Sequence, residues 1–110
     1  MSYTIWPDGI GGDVLDDIHR ERARQEELCR KGKFPHTAAT DALTMPEKLA
    51  VLAEEFGEVA KEVTEAINVR VLRGSELTVP QRQALRAELI QVAAVCAAWA
   101  ESLGHDARLR

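Results

Sequence analysis

The sequence predicts an all-α fold, a bundle of three main helices per chain that oligomerisation completes into a four-helix type. Three observations carry this. Alanine, leucine, glutamate, arginine and glutamine, strong helix formers, are abundant, and the β-branched or aromatic runs that mark strands are missing. Aromatic residues make up only 5% of the chain, so its core must be aliphatic. Two segments carry the full chemistry of a helix start. At 110 residues the chain is long enough for one domain with one core and too short for two. That domain is expected to span 1-110, with an irregular arm over 1-13 and a helical core over 14-103.

Ile5-Trp6-Pro7-Asp8-Gly9 has turn chemistry, and the pair Gly11-Gly12 is flexible, which predicts the arm. Asp13 can then cap a first helix over 14-31, which Gly32 stops. Residues 33-41, with Pro35 and the cluster Thr37 to Thr40, read as a long loop, a type that often carries function. Thr44-Met45-Pro46-Glu47 and Thr78-Val79-Pro80-Gln81 each set a capping Thr three residues before Glu or Gln. Proline falls in the first turn, where its missing donor costs nothing. The second helix is expected from Met45 towards the 70-74 region, and the third over 79-103 with Gly104 as its stop. The two should pair as an antiparallel hairpin against the first. Such a hairpin has too little core alone, which predicts a homodimer or homotetramer.

A formal charge of -4 argues against binding to a nucleic-acid polymer, which needs a basic face. The N-terminus lacks the basic start and apolar stretch of an export signal. The longest wholly apolar run, 92-100, is less than half of the roughly 20 residues that span a bilayer. A cytoplasmic protein with no membrane partner is expected. Cys29 and Cys96 have neither disulfide-framework nor metal-ligand spacing, and Cys96 reads as a small buried hydrophobe.

The chemistry-bearing residues lie on the second and third helices. Glu54-Glu55-Phe56-Gly57-Glu58, followed by Glu62 and Glu65, puts Glu55 and Glu58 on one helical face with Glu54 and Glu62 beside them. Like charges so placed repel, and only Lys61 is near enough to relieve them. Gly57 costs up to about 1 kcal/mol inside a helix, which suggests a close approach to the backbone there. From Leu89 to Ala100 every residue but Gln91 is apolar, so the third helix is expected to be buried nearly all round. Glu88 and Gln91 would then face the interior or a cavity, where an unpaired carboxylate is costly and needs a cation. A hard divalent ion satisfies Glu55, Glu58, Glu88 and the Gln91 carbonyl oxygen together, and magnesium keeps positions open for phosphates and water.

The strings Leu52-Ala53-Glu54-Glu55-Phe56-Gly57-Glu58-Val59 and Leu85-Arg86-Ala87-Glu88-Leu89-Ile90-Gln91-Val92 resemble the MazG-type all-α nucleotide pyrophosphohydrolases. Their signature is E-E-x-x-E, a gap of some two to three dozen residues, then E-x-x-D. The resemblance covers roughly residues 14-103. It implies hydrolysis of nucleoside triphosphates to monophosphate and pyrophosphate. It also implies Mg2+, or Mn2+ as a substitute, held by Glu55, Glu58 and Glu88, with Glu54 as a neighbouring group or the base that orients water. One departure is Gln91, which stands where the family has Asp. Its amide oxygen is still a ligand, but the cage loses one negative charge. The basic, Asn-containing tail of many relatives is not evident in 105-110 either.

Arg24 and Gln25 on the first helix, with Phe34 and His36 in the loop, sit where relatives contact base and sugar. Packing or a solvated face is the plainer reading of each. Lys48, two turns before Glu55 on the same face, could meet a phosphate, although a surface lysine is the default. Arg82 and Arg86 could neutralise Glu88 through helical spacing. Geometry adds a condition: were the second helix to run to Arg73, its glutamates would lie about 25 Å from the hairpin loop, against about 16 Å for Glu88 and Gln91. The helix must therefore end near Asn68, with 69-77 as a longer connection. Two other readings compete with the enzyme: a non-catalytic nucleotide- or protein-binding module of the same fold, and a helical oligomerisation domain whose glutamates are a solvated face.

Overall fold

A computed structural model describes residues 10-33, 36-67 and 73-104. The described residues form three α-helices, α1 (Ile10–Arg30), α2 (Met45–Ala66) and α3 (Val79–Ser102), with a 3-10 turn at Gly74–Glu76 between the last two. No strand occurs among the described residues, so the all-α expectation holds. No described helix is long and apolar enough to cross a membrane.

The two helix starts form as their sequences dictate. Thr44 accepts from the Glu47 N–H while the Glu47 carboxylate accepts from the Thr44 N–H, and Thr78 and Gln81 repeat the exchange. Each box satisfies two of the donors that a helix N-terminus leaves bare. Gly32 closes α1 at φ +79, with its own N–H donating to the Cys29 carbonyl and the Lys33 N–H to that of Leu28. Only a residue free of Cβ strain enters that left-handed conformation cheaply.

The start of α1 differs from expectation. The helix begins at Ile10, so Gly11 and Gly12 lie within it, and Asp13 sits inside the first turn instead of capping it. A carboxylate there still benefits from the positive end of the helix. The rest of the arm, 1-9, lies outside the described residues, as do residues 68-72 of the connection after α2.

In the middle of the molecule, α3 packs against α2 on one side and α1 on another. Ion pairs do much of the α1–α3 docking. Arg22, 8% exposed, reaches Glu101 at 2.6 Å and Glu26 at 2.7 Å, and Arg86 reaches Asp17 at 2.6 Å. Glu26 also accepts from the Thr37 hydroxyl at 2.8 Å, which ties the loop after α1 to the same hub.

The core is small. Its buried hydrophobic residues are Ala38, Ala94, Val95 and Ala98, with Leu52 and Trp99 packed partly against them. The expectation that α3 is buried all round is therefore not met: Leu89 is 49% exposed and Cys96 is exposed. The reason is geometric, since α1 and α2 cover only part of its circumference. Cys96 is on the surface of the chain rather than a buried hydrophobe.

Candidate functional site

The end of α2 decides whether its carboxylates can meet those of α3. It stops at Ala66, with Ile67 as its cap, so the condition for an early end is fulfilled. Glu55 and Glu58 then lie on average about 14 Å from the end of α2, and Glu88 and Gln91 about 16 Å from the start of α3. Counted from those two ends the half-sites differ by only about 2 Å, and the charge of Glu88 acts on Glu55.

At that level Glu55 and Glu88 each have one carboxylate oxygen, Oε2, sealed from solvent with no hydrogen-bond partner. Burial pushes the Glu55 carboxyl above the usual carboxylate range, and the charges of Glu88, Glu54, Glu21 and Glu58 push it further. Glu88 is raised in the same direction by burial and by Glu58 and Glu62, with Lys61 partly offsetting them. Arg86, expected to neutralise Glu88, stands two residues from it and so on a different side of α3, and it pairs with Asp17 instead, holding that carboxyl low. The result is a negative cluster in which acceptors face each other without donors, an arrangement that a cation relieves. Among the described residues, however, no three acidic, His or Cys side chains stand together closely enough to hold a metal ion by themselves. A bound ion would therefore draw on oxygens beyond carboxylates, and Gln91 carries one.

Beside the cluster opens a cleft of about 260 Å³. Glu54 and Glu55 from α2, Gln91 from α3, Arg24 and Gln25 from α1 and His36 from the loop all line it. Six side chains singled out from the sequence thus share one cavity. Glu58 and Glu88 do not line it, although their charges act on its edge through Glu55. Lys48 does not line it either. At 3% exposure it is buried instead of being a surface lysine, one helical turn before Leu52, which packs against the core residues Ala38, Val95 and Ala98. Phe34 lies outside the described residues.

The sequence reading missed Glu21, Thr37 and the apolar floor of Leu43, Val51 and Val95. Glu21 was within reach, since it precedes Arg24 and Gln25 by three and four residues and so shares their face. It grips Arg24 with both oxygens, at 2.9 and 2.7 Å, and Arg24 also feels the charge of Glu55. The Gln25 oxygen accepts from Arg22 at 3.2 Å, which turns its amino group towards Glu21. From α1 the cleft is therefore lined by the Arg24 guanidinium paired with the Glu21 carboxylate and by the Gln25 amide, and from α2 by the carboxylates of Glu54 and Glu55. Gly57 gives no sign of the close approach expected there, for nothing lies within 4 Å of where its Cβ would stand.

Comparison with protein-family models, with curated proteins and with solved structures finds no match to this chain.

Proposed function

We propose that the chain is a magnesium-dependent nucleoside triphosphate pyrophosphohydrolase, similar to the MazG type, converting (d)NTP and water to (d)NMP and pyrophosphate. The observation that carries this reading is the pair of buried, unbonded carboxylate oxygens on Glu55 and Glu88 at the edge of a cleft that also holds Arg24, Gln25 and His36. Mg2+, or Mn2+ in its place, would be held by the Gln91 carbonyl oxygen together with carboxylates of Glu55, Glu58 and Glu88, which would have to draw together around the ion, since among the described residues no three such groups stand close enough to hold it as they are. When bound, the ion supplies Lewis acidity for phosphate oxygens and water. Glu54, exposed at the cleft, orients the attacking water and takes up its proton as the α–β phosphoanhydride bond breaks. Arg24 supplies positive charge opposite the carboxylates, and Gln25 and His36 offer hydrogen bonds to base or sugar. In this reading the protein acts in the cytoplasm as a homodimer or homotetramer.

The test is pyrophosphate release from a panel of ribo- and deoxynucleoside triphosphates, with and without Mg2+. Release with at least one substrate that EDTA abolishes supports the proposal, and none across the panel defeats it. A second reading draws on the neutral Gln91 and on the absence of three clustered carboxylates among the described residues. In it the same fold binds nucleotide, or a protein, without turnover. Thermal stabilisation by nucleotide with no pyrophosphate released would select the nucleotide form of that reading.

A further inference from the structure

A second depression, of about 270 Å³, lies in the groove between α1 and α3. From α1 come Asp17, Arg20, Glu21 and Arg24, at intervals of three, one and three, which is one helical face. From α3 come Arg86 and Gln91, with Ala87 and Ile90 as the apolar part of the lining. Three guanidiniums thus face two carboxylates, a surplus of one positive charge in a chain whose formal charge is -4. The cleft beside Glu55 has the opposite balance, with Arg24 set against Glu21, Glu54 and Glu55. A third depression sets Arg22 against Glu26 and Glu101 and is acidic as well.

The donors of the basic groove are not used up. A guanidinium carries five N–H donors. Arg20 and Arg86 each give one nitrogen, Nη1, to the same partner, Asp17, one to each of its carboxylate oxygens. Arg24 gives Nε and Nη2 to Glu21 and keeps Nη1 outside that pair. The three side chains are 50 to 72% exposed, so their remaining donors are open to an incoming acceptor. Fastening α1 to α3 needs only Arg86 on Asp17; among the described residues Arg20 bonds within α1 alone and adds nothing to that joint. A phosphate-class oxyanion matches what is left, because its several oxygens accept from planar guanidiniums in more than one direction. A nucleic-acid polymer matches poorly, since its backbone needs an extended basic face.

We infer that this α1–α3 groove binds a phosphate-class oxyanion through Arg20, Arg24 and Arg86. Glu21, Arg24 and Gln91 line the groove and the cleft alike, so an anion held here adjoins whatever occupies the cleft. It is either free phosphate or pyrophosphate, or the far phosphates of a nucleotide whose other end lies in the cleft. The second source rests on the nucleotide reading above and the first does not, so the groove stands if that reading falls.

Calorimetric titration of inorganic pyrophosphate into the full chain in EDTA reads the groove without any divalent ion, and one site per chain is expected. Arg86→Gln should weaken binding about tenfold, the worth of one charge-assisted contact, and the more exposed Arg20 about threefold when changed to Gln. Arg20→Gln keeps the Arg86–Asp17 joint and so decides the matter should Arg86→Gln fail to fold. Arg30→Gln, on α1 but outside the groove, should change nothing. Raising salt from about 0.1 M to about 1 M shortens the screening length from roughly 10 Å to roughly 3 Å and should weaken binding severalfold. A nucleoside triphosphate and its monophosphate then separate the two sources. Affinity lost in Arg20→Gln for the triphosphate but not the monophosphate marks the nucleotide's tail, and affinity lost for pyrophosphate alone marks the free anion. No heat with millimolar pyrophosphate, or binding that both groove variants leave unchanged, overturns the inference. Pyrophosphate release from nucleotides plays no part in these readouts.

Discussion

Glu55 on α2 and Glu88 on α3 each keep one carboxylate oxygen buried and unbonded, and the charge of Glu88 is the largest influence on Glu55 after burial itself. Two helices therefore meet across a repulsion. A fold tolerates this where a ligand relieves it, because a purely structural contact at these positions would favour apolar or paired residues.

The first prediction concerns stability without divalent ions. Both carboxyls are raised in the folded state, so the folded chain binds more protons than the unfolded one as pH passes through and above the ordinary carboxylate range. Stability from these groups therefore falls as pH rises through that window, and the penalty is complete above the raised folded values. Glu55→Gln removes a charge and should raise the metal-free melting temperature at pH 7 by a few degrees. The gain should shrink towards zero as pH falls below the ordinary carboxylate range, where both states are protonated. Thermal melts of the two proteins in EDTA from pH 4 to 8 check this, and a variant that melts below the wild type at pH 7 would contradict it.

Glu58 tests the catalytic reading. It is exposed, and its charge acts on both Glu55 and Glu88. Glu58→Ala should leave helix content by circular dichroism unchanged and lower turnover about 100-fold or more, since even groups that merely support metal ligands are worth 10 to 100-fold. Full activity in this variant would remove Glu58 from the site.

Local chemistry was the most legible part of the sequence. Thr44 with Glu47 and Thr78 with Gln81 announce α2 and α3 because a capping box needs nothing beyond its own four residues. The end of α2 was legible only through the site, as the place where Glu55 and Glu88 become level. Tertiary surroundings were not legible. Lys48 looked like a surface lysine because a sequence does not say which side of α2 lies against α3. Leu89 and Cys96 looked buried because an apolar stripe reads the same whether its cover comes from its own chain or from another. Glu21 belongs to no motif, and its place in the site follows only from the face of α1 that it shares with Arg24 and Gln25.

Arg22 should behave as a structural hub. It joins α1 to α3 through Glu101, holds Glu26 and with it Thr37, and fixes the Gln25 amide. Both carboxylates are about half exposed, so water takes over part of what Arg22→Ala removes. The expected cost is about 1 to 2 kcal/mol, less than for a fully buried pair. Urea unfolding would measure it, and a loss below about 0.5 kcal/mol would place Arg22 among ordinary surface ion pairs.

Gln91 offers the sharpest gain-of-function test, because it lines the cleft beside Glu55 and contributes an oxygen without a charge. Hard cations bind more tightly as the number of charged oxygen ligands rises. Gln91→Asp should tighten Mg2+ binding about tenfold, equal to about 1.4 kcal/mol, by calorimetric titration. The same change adds a negative charge to a cluster that already raises Glu55, so in EDTA the variant should melt below the wild type. Opposite effects with and without magnesium follow only if residue 91 shares an ion with the glutamates. Equal destabilisation under both conditions would mean that the amide packs against the cleft wall and binds no metal.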